Sequence, residues 1–220
     1  MKFKQFGSKN KAIEALASRL ALFVDEFQLD RKITILVSGG NTPLLIYKEL
    51  LTKYSAVDWS KCCFIMVDER YVPFESSRNN AGSCFREFVQ QVKIEDFIYP
   101  DTRMPLDEST VQFSHQVKAI LDRDGIDLAL LGTAPDGHVA SIFPNSEPVV
   151  VHDIAFACKH DSPEEFRVSL DLASINLSHE IWVMALGEEK QGICEKAKSD
   201  SSNLPVLCLD KQKTTWFCAF

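Results

Sequence analysis

Apolar residues recur along this chain with two different spacings, and each spacing predicts one kind of element. Steps of three and four residues begin at Ile13 and continue to Phe27, which indicates a first helix with one apolar face. Four more helices are predicted: 44–54, a helix opened by Asn79 or Asn80 that carries Phe85, Phe88 and Val89, 109–121 with Ser109 and Gln112 as a capping box, and 190–197.

Short runs of β-branched and other apolar residues lie between these helices and predict buried strands. The runs cover 33–37, 62–67, 127–131 and 181–186. From Phe166 to Leu172 apolar and polar residues alternate, which indicates a half-exposed strand, and two short strands are predicted at 206–208 and 214–220. Because no linker, repeat or low-complexity segment interrupts the chain, residues 1–220 are predicted to form a single α/β domain.

Two glycines stand between the strand 33–37 and the helix that follows it. The turn reads Ser38, Gly39, Gly40, Asn41, Thr42, Pro43. Glycines let a backbone approach a ligand closely, and free amide groups at a helix start attract an anion, so this turn is a candidate phosphate site. The turn lacks both the P-loop lysine and the dinucleotide glycine spacing, so a simple tight turn remains the alternative.

A carboxylate and an imidazole follow the strand 127–131, two residues apart, in the order Asp136, Gly137, His138. Ligands of open α/β sheets bind at this edge of the sheet, beyond the carboxyl ends of the strands. A histidine side chain can accept a proton from water and return it, so His138 is a candidate general base. Asp136 could orient His138 or organise the loop. An isolated Asp-Gly-His would more often be a helix cap beside an ordinary loop histidine.

Charged residues occur at three other places beside the predicted strands, and the cations among them are candidates to hold an anion. Asp68, Glu69 and Arg70 follow the strand 62–67, Arg167 begins the alternating strand, and Lys190 begins the helix after 181–186. Loops of parallel βα units meet at one edge of the sheet, so residues 68–70 and the Gly-Gly turn are expected to lie at the same edge. A solvated loop is the usual alternative for the three charges at 68–70.

Composition limits the partners of such a site. The net charge of −7 argues against a nucleic-acid surface, although a local cationic pocket could still attract an anionic small molecule. No apolar run has the length of a transmembrane helix. The chain contains seven cysteines without a Cys-x-x-Cys pair or zinc-like spacing, so we expect reduced, mostly buried thiols in a cytoplasmic protein: Cys62, Cys63, Cys84, Cys158, Cys194, Cys208 and Cys218.

Five blocks of this sequence, in this order, resemble the 6-phosphogluconolactonase family, which shares a superfamily with glucosamine-6-phosphate deaminases. The blocks are Ser38–Pro43, Asp68–Pro73 with Asn80 downstream, Asp136–Pro144, Arg167–Leu170 and Gly187–Lys190. The resemblance implies a three-layer α/β/α fold with a mostly parallel sheet, no metal and no organic cofactor. It also implies hydrolysis of 6-phospho-D-glucono-1,5-lactone to 6-phosphogluconate in the oxidative pentose phosphate pathway. As partners we expect the phosphorylated lactone alone, for a monomer or small homo-oligomer.

The residues fit this chemistry in their own right. A lactone is an activated ester, and its hydrolysis needs a positioned water and a base, for which His138 is the candidate and Asp136 its partner. Arg70, Arg167 and Lys190 would hold the phosphate with the amides of the Gly-Gly turn. Asp68 is counted among the binding residues, and with Glu69 it could serve to hold Arg70 in position.

Three alternatives remain open at this point. A glucosamine-6-phosphate deaminase resembles this chain at the Gly-Gly turn and at Asp-Gly-His, but it carries a glutamate where this sequence has Phe143 and a tyrosine where it has Arg70. A non-catalytic sugar-phosphate sensor would need an output module that we do not find. A sugar-phosphate isomerase would match at the glycine turn alone.

Overall fold

The computed structural model describes residues 1–28, 30–161, 164–199 and 202–220. Within these residues the strands are β1 (Lys2–Phe6), β2 (Ile33–Val37), β3 (Cys62–Met66), β4 (Asp68–Arg70), β5 (Asp96–Ile98), β6 (Leu128–Gly132), β7 (Pro148–His152), β8 (Ala155–Asp161), β9 (Glu164–Leu170), β10 (Glu180–Leu186) and β11 (Thr214–Ala219). The α-helices are α1 (Lys9–Asp25), α2 (Asn41–Lys53), α3 (Asn80–Cys84), α4 (Gln90–Val92), α5 (Leu106–Arg123), α6 (Leu172–Asn176) and α7 (Gln191–Ser199). A π-helical turn over Phe85–Val89 joins α3 to α4.

Seven of the described strands form one parallel sheet, in the order β1-β11-β10-β6-β2-β3-β5. The strands β2, β3, β6 and β10 are the four buried runs that the apolar pattern predicts. Their side chains alternate between the two faces of the sheet: Ile35 packs on the side of α1 and α2, whereas Leu36 packs on the side of α5 and α7. Helices therefore cover both faces, and the predicted three-layer α/β/α fold with a mostly parallel sheet is confirmed.

A second, antiparallel sheet has the strand order β4-β9-β8-β7. It packs against α5 on one side of the parallel sheet, and Val168 and Leu170 of β9 join the same core as Phe113 and Val117 of α5. Of its strands the alternating pattern predicts β9 alone. The three charges at 68–70 are not a solvated loop, because they form β4 and pair with Arg167–Ser169.

Three local predictions are wrong. The capping box at Ser109 does not start a helix: α5 begins at Leu106, and Ser109 is buried inside it. The residues after Leu204 form a 3-10 turn, Pro205–Cys208, in place of a strand, since Pro205 has no amide hydrogen to give to a sheet. Lys190 ends the 3-10 turn Glu188–Lys190, and α7 starts one residue later. Asn79, by contrast, caps α3 as expected, because its Oδ1 accepts a hydrogen bond from Gly82 N at 2.6 Å.

A disulfide joins Cys194 of α7 to Cys218 of β11, so the expectation of seven reduced cysteines is wrong for this pair. The other five thiols are free. Four of them are buried as predicted, whereas Cys208 is exposed. Burial raises the pKa of Cys62 and of Cys84 to about 12, which makes both thiols poor nucleophiles.

The helices of the described residues are too short or too polar to cross a bilayer.

Candidate active site

One cleft of about 170 Å³ opens where the carboxyl ends of β2, β6 and β10 meet, at the edge that the sequence predicts. All but one of the predicted site residues line this cleft. They are Ser38, Gly39, Gly40, Asn41, Thr42, Asp68, Arg70, His138, Arg167 and Lys190. Asp136 lies behind His138 and contacts it. Residues separated by up to 152 positions in the chain are thus brought together by the parallel order of the strands.

The Gly-Gly turn forms the floor of the cleft next to the start of α2. Gly40 precedes this helix with a φ of +94°, a backbone conformation that favours glycine, and no side chain caps the helix. Gly39 lies against Asn80: a Cβ atom at this glycine would stand 2.0 Å from Asn80 Oδ1. Ser38 ties the turn to the neighbouring strand, since its Oγ accepts a hydrogen bond from Gly132 N at 3.1 Å. The first amides of α2 are therefore left free to meet an anion in the cleft.

His138 is oriented by Asp136. The Nδ1 atom of His138 lies 2.9 Å from Asp136 Oδ1, and the same oxygen accepts a hydrogen bond from His138 N at 3.1 Å. Since a carboxylate can only accept, Nδ1 donates this hydrogen bond, and in the neutral imidazole Nε2 then carries the lone pair. Gly137 makes this contact possible with a φ of +82°. The ring of Phe143 packs on the imidazole, with 4.8 Å between ring centroids. This arrangement can take a proton from water at Nε2.

Two arginines stand opposite each other on adjacent strands of the second sheet. They are Arg70 of β4 and Arg167 of β9, which are partners in the antiparallel register. Like charges opposite one another destabilise a sheet unless an anion or a carboxylate lies between them. Arg167 donates to Glu165 Oε1 at 2.8 Å, and Arg70 donates to the carbonyl oxygen of Arg78 at 3.1 Å. Each guanidinium keeps a buried Nε without a partner among the described residues, so both have donors left for a ligand.

Lys190, which follows β10, is the third cation in the lining of the cleft. Burial lowers the pKa of Lys190, Glu189 opposes this shift, and Lys9 adds to it. The lysine follows Gly187, whose carbonyl oxygen accepts a hydrogen bond from Lys190 N at 3.0 Å. An anion bound next to the ammonium group would stabilise its charged form, because the opposite charge would offset the loss of hydration.

Asp68 and Glu69 differ in position although they are neighbours in sequence. Asp68 lines the cleft, and its Oδ2 accepts a hydrogen bond from Ser141 Oγ at 2.7 Å. Glu69 is fully buried and accepts from the backbone amides of Arg70, Asn80 and Ala81, each at 2.7 Å. Burial raises the pKa of Glu69 to about 8, and these three amides hold it from rising further. Glu69 thus joins the strand of Arg70 to the start of α3.

Sequence reasoning did not assign a role to five further lining residues, Pro43, Asn80, Gly132, Thr133 and Ala140. Gly132 ends β6 and Thr133 follows it, so their place in the chain alone could have suggested them. Thr133 Oγ1 donates to the carbonyl oxygen of His138 at 3.0 Å and so holds the loop. Asn80 reaches the cleft because α3 starts there, and its Nδ2 donates to Asp68 O at 3.2 Å. No three His, Cys, Asp or Glu side chains group as metal ligands in the described parts of the chain.

Known proteins resemble this chain over nearly its whole length. The family model described as glucosamine-6-phosphate isomerases/6-phosphogluconolactonase matches residues 7–217. A 6-phosphogluconolactonase of Thermotoga maritima is 28% identical over 207 residues, which cover 93% of this chain and 91% of that protein. A probable 6-phosphogluconolactonase of Dictyostelium discoideum is 32% identical, over 78% of this chain and 75% of the relative.

Solved structures agree on the fold. The crystal structure of the 6-phosphogluconolactonase from Thermotoga maritima has a TM-score of 0.84 at 27% identity, covering 100% of this chain and 99% of that one. A monomeric glucosamine-6-phosphate deaminase has the same TM-score at 16% identity, covering 100% of this chain and 97% of the other, so the fold is common to both activities. From the whole-length match of sequence and structure, this chain belongs to the glucosamine-6-phosphate isomerase/6-phosphogluconolactonase family.

Proposed function

We propose that this protein hydrolyses 6-phospho-D-glucono-1,5-lactone to 6-phospho-D-gluconate, the second step of the oxidative pentose phosphate pathway. The observation that carries the proposal is a single cleft with an Asp136–His138 pair and three cationic side chains. The named lactonases among the relatives support the same substrate.

In the proposed reaction three cationic side chains and the first amides of α2 hold the phosphate, and the lactone carbonyl lies near His138. The three cations are Arg70, Arg167 and Lys190. Nε2 of His138 takes a proton from water as the water oxygen attacks the carbonyl carbon. Asp136 accepts the hydrogen bond of Nδ1 throughout and stabilises the imidazolium that forms. The bond between the carbonyl carbon and the ring oxygen then breaks, and the imidazolium returns its proton to that oxygen. The products are a hydroxyl group and a carboxylic acid, which ionises in solution.

Phe143 separates this proposal from deaminase chemistry. A deaminase carries a glutamate at this position to partner the histidine during ring opening, whereas Phe143 packs on the ring of His138 and can neither give nor take a proton. Ring opening and amino-group transfer need several coordinated proton transfers, and ester hydrolysis needs fewer. We therefore expect no release of ammonia from glucosamine 6-phosphate.

The proposal extends to the setting of the enzyme. It acts as a single domain in the cytoplasm, as a monomer or small homo-oligomer, and it binds neither nucleic acid nor membranes. A net charge of −7 supports the expectation for nucleic acid.

The test is to mix purified protein with freshly prepared 6-phosphogluconolactone and to follow acid release at constant pH. The expected result is a rate proportional to enzyme concentration above the spontaneous background, and a much smaller rate with His138→Asn. A rate equal to the background, or ammonia release from glucosamine 6-phosphate at a comparable rate, would overturn the proposal.

A further inference from the structure

Arg78 lies outside the lining of the cleft, but it is linked to both cleft arginines. It contacts Arg70 directly and Arg167 through the carboxylate of Glu165. Its Nη2 donates to Glu165 Oε2 at 2.6 Å, and the other oxygen of Glu165 accepts from Arg167 Nη2 at 2.8 Å. Its carbonyl oxygen accepts from Arg70 Nη1 at 3.1 Å. We call these four residues, Arg70, Arg78, Arg167 and Glu165, the arginine cluster.

Glu165 has a double effect on the cleft. Its side chain is only 4% exposed, so its charge requires close partners, and it fixes the guanidinium of Arg167. With Arg167 as its one partner, however, Glu165 would neutralise a charge that a phosphate needs. Arg78 is a second cation on the same carboxylate. The arginine cluster therefore has a net charge of +2, since it contains three guanidinium groups and one carboxylate. Arg70 and Arg167, which line the cleft, can thus both act on an anion there.

We propose that Arg78 is a positioning residue of the anion site, which balances Glu165 so that Arg167 stays both fixed and available to the phosphate. This inference rests on the proposed function for the identity of the substrate, but its charge argument applies to any phosphate-bearing ligand. The side chain of Arg78 is 45% exposed and belongs to neither hydrophobic core cluster, so its variants are suited to binding measurements.

The first test is Arg78→Gln. Without the second cation, Glu165 offsets Arg167, and one positive charge fewer acts on the ligand. We expect the KM for 6-phosphogluconolactone and the Kd for inorganic phosphate, measured by calorimetry, to rise roughly threefold to tenfold, the effect of one partly screened charge. The kcat, and the kcat/KM for unphosphorylated gluconolactone, should stay at the wild-type level, because neither depends on phosphate binding.

Two further variants separate charge from folding. Arg78→Lys keeps the cation and should recover most of the affinity for phosphate. The double variant Arg78→Gln, Glu165→Gln removes both members of the pair, restores the net charge of the cluster, and should bind phosphate more tightly than Arg78→Gln alone. Arg103→Gln is the matched control: Arg103 also pairs with a carboxylate, Asp101, but lies outside the cleft, and its variant should bind phosphate like wild type.

The inference fails if Arg78→Gln binds phosphate as tightly as wild type, if it loses activity equally on both lactones, or if the double variant binds more weakly than Arg78→Gln. The two phosphate-binding results are independent of the proposed function, whereas the comparison of the two lactones rests on it. A wild-type protein that binds phosphate but hydrolyses no lactone would overturn the proposed function and leave the calorimetric comparison valid.

Discussion

The substitution Asp136→Asn tests how much the carboxylate behind the histidine contributes to catalysis. Asparagine has nearly the size of aspartate, and its Oδ1 can still accept hydrogen bonds from His138 N and from Nδ1. The tautomer of His138 is therefore preserved. What is lost is the negative charge next to the imidazolium that forms as water is deprotonated.

The expected loss in rate depends on how far water screens the charge of Asp136. The side chain of Asp136 is 53% exposed, so water screens its interaction with His138. Two unit charges about 4 Å apart interact by about 1 kcal/mol in a water-like medium, whereas a dry environment would multiply this several-fold. Because each 1.36 kcal/mol corresponds to a tenfold change in rate, we expect kcat to fall roughly fivefold to tenfold with little change in KM. Removing the base itself, in His138→Asn, should lower kcat by roughly 10²–10⁴-fold.

The assay is the initial rate of acid release at saturating 6-phosphogluconolactone, corrected for spontaneous hydrolysis. Asp107→Asn is the matched control, since Asp107 also contacts a histidine, with 2.6 Å between its Oδ1 and His152 Nε2, and it lies outside the cleft. The control should keep the wild-type kcat. A loss beyond about 10³-fold for Asp136→Asn would mean that the pair reacts in a dry environment, contrary to its exposure. An unchanged kcat would remove Asp136 from the mechanism.

Three more predictions follow from the cleft and its support. Arg70→Ala and Arg167→Ala should each raise KM for the phosphorylated lactone at least tenfold, with a smaller effect on kcat, in steady-state assays, because a charge-assisted contact contributes about 1.5–3 kcal/mol; equal hydrolysis of unphosphorylated gluconolactone by wild type would contradict this. Gly39→Ala places a methyl group against the side chain of Asn80, so thermal unfolding should show a loss of about 1–3 kcal/mol in the free energy of unfolding. Gly7→Ala, with open space around the added methyl group, should show no such loss. Burial raises the pKa of Glu69 to about 8 from an ordinary 4.5, so its contribution to stability is full below about pH 4.5 and is lost as the pH rises through about 8. The free energy of unfolding of wild type minus that of Glu69→Gln should therefore fall by an amount on the order of 4 kcal/mol from pH 4.5 to above pH 8, and a constant difference in urea titrations would contradict the buried-carboxyl account.

Sequence patterns predicted the parts of this molecule that depend on local periodicity. The four central strands are apolar on both faces, so β2, β3, β6 and β10 are visible as continuous runs. The edge strands β1 and β5 carry exposed polar residues and give no such signal. β4 was misjudged because its three charges become a strand only by pairing with β9, about a hundred residues later.

The same contrast applies to the site. The residues that line the cleft could be predicted, because the ends of parallel strands must meet at one edge. The residues that hold the lining residues in place could not be predicted, because their contacts join distant segments of the chain. Glu69 reads as one of three surface charges, and its burial on three amides is set by the position of α3. Arg78 and Glu165 are 87 residues apart, and neither stands in a motif.

The pairing of β1 with β11 has a consequence for the order in which this protein acquires its structure. In the described sheet β1 pairs with β11 alone, and β11 lies between β1 and β10. The segment at residues 2–6 thus emerges early from the ribosome but has no partner until residues 214–219 have been made. Such a long loop closes slowly, and until then the edge of β10 stays open to other strands. We expect the sheet from β2 to β10 to form first. The edge then closes as the final step, when β11 inserts between β1 and β10.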